Sequence, residues 1–161
     1  MTHVKALLVD LFIANASSPS SYSPFQKAVE GLTEDEARWK SSENAHSIYE
    51  LVNHLIYWNQ IWQKRYLARD KKAYKSIKIV ETFTYDYEES FEDKKAKLIS
   101  TLLHWKDILK EEELDELMIN DPEDTIWWEY IGINASHNAY HIGQMVYIRK
   151  ELQLDWQSGI E

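Results

Sequence analysis

Cysteine is absent from the 161 residues, which excludes disulfides, iron–sulfur clusters, thiolate-bound zinc and a cysteine nucleophile. Any metal would have to rest on imidazole or carboxylate. Glycine (4) and proline (3) are scarce. The chain thus lacks the turn punctuation of an all-β protein and favours long helices. Long apolar runs are missing too: Asp10 interrupts the stretch from Ala6 to Ala14, and no 18-residue apolar segment follows, so no membrane span is expected. Positive charge is in short supply, with 18 Lys and Arg against 27 Asp and Glu and a net charge of -9. An acidic surface repels a phosphate backbone, which argues against nucleic acid as a partner. The basic cluster Lys71, Lys72, Lys75 and Lys78 falls in a connection and reads as solvated charge.

What the chain does have is apolar and aromatic mass, 44% and 13% of residues, which is at odds with disorder. The length suits one domain, 1–161, with a core of its own. The default expectation is a cytoplasmic protein.

Val4, Leu7, Leu8 and Leu11 stand at helical spacing and predict a first helix over 3–15. Ser23 before Pro24 resembles a helix start, with a short helix ending at Gly31. Thr33 with Glu36, and Ser47 with Glu50, have the spacing of capping boxes. From Ser47 a second long helix carries Ile48, Leu51, Val52, Leu55, Trp58 and Trp62 to about Arg69. Residues 71–85 lack a period and predict a long crossover connection. Asp86 with Glu89 is a candidate cap for a third long helix, whose seam is Phe91, Leu98, Leu102, Trp105 and Leu109. The acidic run from Glu111 to Glu116 reads as a solvated turn. A fourth long helix runs from near Thr125 to about Leu152, with a stripe of Tyr130, Ile133, Asn134, His137, His141, Met145 and Ile148. Asp155 to Glu161 reads as a tail. The fold class is all-α, a four-helix bundle.

Three of the six histidines concentrate the chemistry. His137 and His141 are one turn apart on one helix face, among core-forming neighbours. Two inward imidazoles without partners would leave buried nitrogens unsatisfied, and a shared cation removes that cost. The pair alone is a weak motif. His54, between Leu51 and Trp58 on the apolar side of the second long helix, supplies a third imidazole from a facing helix. Three such ligands leave a coordination position open, as catalytic sites do. His3 and His104 read as exposed, and His46 as a surface residue, with a helix-entry or pocket-rim role as the alternative. Glu50 is sufficiently explained by its cap. Tyr57, Trp58, Trp62, Trp127 and Tyr140 are candidates to line an apolar pocket, although aromatics at this spacing more often form core.

The run Gly132-Ile-Asn-Ala-Ser-His137-Asn-Ala-Tyr140-His141-Ile-Gly143-Gln144-Met145 resembles the histidine signature of the DinB-like (damage-inducible B) superfamily. The stretches Gly31 to Ala37 and Ala45 to Leu55 resemble its other shared segment. The resemblance implies a DinB-like bundle with an uncommon connection order and a divalent transition metal, zinc or nickel, on His54, His137 and His141. Gly143 is expected to permit close helix approach, and Gln144 to support a ligand or the packing. It further implies a transferase joining a low-molecular-weight thiol (bacillithiol, mycothiol or glutathione) to a small electrophilic substrate, or a metal-dependent hydrolase. A non-catalytic metal-binding, stress-related bundle is the reading from another class, and a homodimer through exposed bundle faces stays open.

Overall fold

Why the chain forms these helices is visible at their starts. In the computed structural model, which describes residues 3–18, 20–84 and 88–152, Ser47 Oγ accepts the Glu50 N–H while the Glu50 carboxylate accepts the Ser47 N–H at 3.0 Å. Thr33 and Glu36 make the same reciprocal pair. Each box satisfies amides that the first helical turn leaves without partners.

The elements in order are α1 (Val4–Ala16), α2 (Phe25–Ala28), α3 (Glu34–Arg38), α4 (Ile48–Ala68), α5 (Ile79–Thr82), α6 (Phe91–Ile108) and α7 (Trp127–Glu151), with a 3-10 turn at Glu111–Glu113. Two isolated bridges, Asp70–Ile119 and Leu117–Ile126, tie loops together. No strand occurs among the described residues. The four long helices are α1, α4, α6 and α7. Helix α1 packs on α6 and α7, and α4 packs on the same two. The cyclic order around the bundle is therefore α1, α6, α4, α7, so that α1 lies diagonally from α4 and α6 from α7, while α4 and α6 are neighbours. The two diagonal steps need long connections, which residues 17–47 and 109–126 supply, whereas the segment 71–85, expected as the crossover, joins the neighbours α4 and α6.

The core follows the expected seams. Phe91, Leu98, Leu102, Trp105 and Leu109 are all buried, and Phe12 stacks on Trp105 at 5.2 Å. Burying each such side chain contributes about 1.5–3 kcal/mol. Several expected boundaries shift. Pro24 is the cap of α2 rather than its first residue, and Gly31 (φ 73°) makes the turn beyond it. Ser90, whose Oγ accepts the Asp93 N–H at 3.1 Å, caps α6. Asp86 and the tail from Asp155 lie outside the described residues. Ile133, placed in the core stripe of α7 by its spacing, is 61% exposed. The buried face of α7 instead centres on Ile131, Asn134, Ala135, Asn138, Ile142 and Met145. It is rotated toward two asparagines whose partners lie on other helices. Among the described residues no helix is long and apolar enough to cross a membrane.

Candidate metal centre

Helices α4 and α7 lie side by side, so residues facing the groove between them meet. His54 comes from α4, and His137 and His141 from successive turns of α7. His54 and His141 are buried and His137 is half-buried. The three Nε2 atoms converge: His137 Nε2 is 3.3 Å from His54 Nε2 and 3.0 Å from His141 Nε2.

Neighbouring side chains set which nitrogen of each ring carries the proton. Thr82 donates its single hydroxyl proton to Ile79 O at 2.6 Å. Its oxygen can only accept from His54 Nδ1, also 2.6 Å away. His54 therefore holds its proton on Nδ1 and turns a bare lone pair on Nε2 inward. Gln144 repeats the arrangement. Its Nε2 donates to the Tyr140 hydroxyl at 3.1 Å, which leaves Oε1 to accept from His141 Nδ1 at 2.6 Å. Two of three inward nitrogens are thus acceptors, and His137 can donate to only one of them. At least one close contact is lone pair against lone pair.

A cation relieves that conflict. Tetrahedral nitrogen ligands about 2.0–2.1 Å from zinc lie roughly 3.3–3.4 Å apart, close to the two separations just given, and all three ligand atoms lie within 4.8 Å of one another. The residues present fit a divalent metal, and the group could hold one. The rings are also kept neutral, as ligands must be. Burial first, then the charges of His141, His137 and His46, holds His54 down to about 3. Burial and His141 hold His137 down to about 4. His141 is lowered by burial, against the opposing hydrogen bond from Gln144.

Aromatic rings close the site on one flank. Phe83 stacks on His54 with centroids 4.2 Å apart, and His46 stacks on the far face of Phe83 at 3.8 Å. His46 is exposed, as expected, and also fills the pocket-rim alternative, lining a cavity with its Nδ1 3.3 Å from Glu50. Glu50 itself is held by the cap and by Lys40 at 2.5 Å. His104 is exposed, as expected.

One cavity borders the triad at His137, and a second reaches Gln144, the partner of His141. The first, of about 210 Å3, is lined by Trp58, Trp62, Tyr130, Ile133, Asn134 and His137. Of the five aromatics expected around a pocket, Trp58 and Trp62 are here. Trp127 instead packs edge-on against Tyr66 in the core, Tyr57 accepts the Ile77 N–H, and Tyr140 is 63% exposed. The other cavity, about 390 Å3, is lined by Ser41, His46, Gln144 and Glu151 together with the apolar Leu51 and Ile148. Gly143 borders it, and a Cβ there would meet nothing within 4 Å. Close helix approach is therefore not what Gly143 provides. Thr82, Phe83 and Tyr130 were not legible as site residues, because each gains its place through a contact far away in sequence.

An all-α bundle with converging imidazoles from two adjacent helices is the class that fold and site define. Residues 21–145, a span that includes all three histidines, match the DinB superfamily, and the chain belongs to that family. A solved structure of a DinB-like protein from Bacillus subtilis is similar, with a TM-score of 0.62 and 16% identity, covering 94% of this chain and 95% of that one. At that identity the likeness shows the fold. No curated protein matches.

Proposed function

We propose that the protein is a divalent-metal-dependent transferase that joins a low-molecular-weight thiol to a small electrophile, with His54, His137 and His141 as the metal ligands. The observation that carries this reading is the convergence of the three Nε2 atoms, two of them fixed as acceptors by Thr82 and Gln144. When bound, a zinc or nickel ion would supply the positive charge that lowers the pKa of a ligating thiol.

The chain's own residues supply the rest. His54 and His141 are oriented by their Nδ1 partners, and Phe83 keeps water from the His54 ring. The aromatic cavity beside His137 suits a small aromatic electrophile, and Ser41, Gln144 and Glu151 in the cavity on the Gln144 side offer hydrogen-bond partners to a hydrophilic thiol. Sulfur forms the new bond to the electrophilic carbon, the leaving group departs with its electron pair, and the thiol proton passes to solvent. A thiolate needs no general base at that moment.

The test is metal content after gentle purification, followed by turnover of a panel of electrophiles with several thiols. Stoichiometric metal, lost in a His141→Ala variant, and thiol-dependent turnover are expected. Metal-loaded protein without thiol-dependent turnover would overturn the transferase reading, and product release by water alone would replace it with a hydrolase. Stoichiometric metal retained by His141→Ala would sink the ligand set.

A further inference from the structure

The aromatic cavity has one polar feature whose orientation is dictated from the core. Trp105 Nε1 can only donate, and it points at Asn59 at 3.0 Å, so the atom there is the Asn59 carbonyl oxygen. That oxygen can only accept. Asn134 therefore presents its amino group to it, Nδ2 to Oδ1 at 3.0 Å. Asn138 does the same at 3.2 Å, and its own Oδ1 receives Asn59 Nδ2 at 2.7 Å. With Nδ2 engaged below, the remaining polar atom of Asn134 is Oδ1, which has no hydrogen-bond partner among the described residues. Asn134 also lines the cavity, one turn before His137.

We infer that Asn134 Oδ1 is the specificity-determining acceptor of this cavity, which takes a small planar molecule carrying one N–H or O–H donor. This deepens the proposed function and rests on it only in calling that molecule the electrophilic substrate. Size sets one limit: about 210 Å3 compares with roughly 150 Å3 for a cavity that takes benzene, so one ring with a short substituent fits. Trp58, Trp62 and Tyr130 provide the flat walls. Charge sets another. Arg65 lies over the Trp62 ring at 4.6 Å and Lys71 over Tyr130 at 5.5 Å. The rings' attraction for cations is already engaged, and a quaternary ammonium ligand is disfavoured. An anion would meet Oδ1 lone pair to lone pair. A neutral donor is what remains.

Phenol and fluorobenzene test this, being similar in size and different in donor. Titration calorimetry on the protein as purified should show phenol binding about five- to tenfold more tightly, the worth of one neutral hydrogen bond. In an Asn134→Ala variant the two should agree within about twofold. In the intact protein, the nitrogen-15 side-chain amide signal of Asn134 should shift with phenol and stay with fluorobenzene, a readout that does not depend on the variant folding. Discrimination that survives chelation supports the assignment, because Asn134 acts without metal; discrimination that vanishes on chelation assigns it to the histidines and overturns it. Equal affinities, no binding, or discrimination retained in Asn134→Ala also overturn it. Absent turnover with intact discrimination would sink the transferase reading alone.

Discussion

The hydroxyl of Thr82 has one proton, and Ile79 takes it. That small fact decides which nitrogen of His54 is free, and it makes Thr82 a positioning residue for this proposed metal ligand. Partners of this kind are commonly worth 10–100-fold in metal affinity. Thr82→Val keeps the shape and removes the acceptor, so zinc affinity measured against a competing chelator should fall by about that factor with the helical content unchanged. An unchanged affinity would reduce Thr82 to packing. The metal-free rings make a second prediction. His54 is held down to about 3 and His137 to about 4 in the fold, and both return to about 6.5 on unfolding. Between pH 6.5 and those values the unfolded chain binds more protons. Their contribution to stability is therefore fully present above pH 6.5 and declines as pH falls through about 4. Urea midpoints of chelated protein should drop across that window, and His54→Gln should flatten the slope.

Among the elements, those built by local rules were legible in the sequence and those built by distant contacts were not. Ser47 with Glu50 and Thr33 with Glu36 need only three-residue spacing to act, and both boxes form. The seam of α6 needs only a helical period, and all its members are buried. Helix α5 has four residues, too few to carry a period. Yet its last residue and the next one, Thr82 and Phe83, reach His54. On α7 the stripe drawn from the spacing took in Ile133 and Asn134 and left out Asn138. Asn138 is fully buried, since its partner stands 79 positions earlier. The histidine triad was legible because helical spacing places His137 with His141, and the groove between α4 and α7 brings His54 to both. At this scale Ser47→Ala should cost about 1 kcal/mol in urea unfolding. Ser47 is wholly buried at the entry of the helix that carries His54, so a loss indistinguishable from zero would mean that other contacts fix that entry.

For the whole molecule, α4 packs against both α6 and α7, and the three helices converge on a polar centre. Asn59 of α4 accepts from Trp105 of α6 and from Asn134 and Asn138 of α7, and donates to Leu55 O and to Asn138 Oδ1. One amide thus joins three of the four long helices. The same amide orients Asn134 in the aromatic cavity, so bundle and site share one support. Removing a hub differs from removing a contact, because several buried groups lose their partner together, each at roughly 1–3 kcal/mol. Asn59→Ala should therefore lower stability by at least about 3 kcal/mol, well beyond what the lost side-chain volume explains. Once Asn59 is gone, Asn138 has little left to lose. The double variant Asn59→Ala/Asn138→Ala should then cost less than the sum of the singles by about 0.5–3 kcal/mol. Urea unfolding of the four proteins in that cycle measures the coupling directly. Additivity would mean that the asparagines are separate contacts, each satisfied on its own.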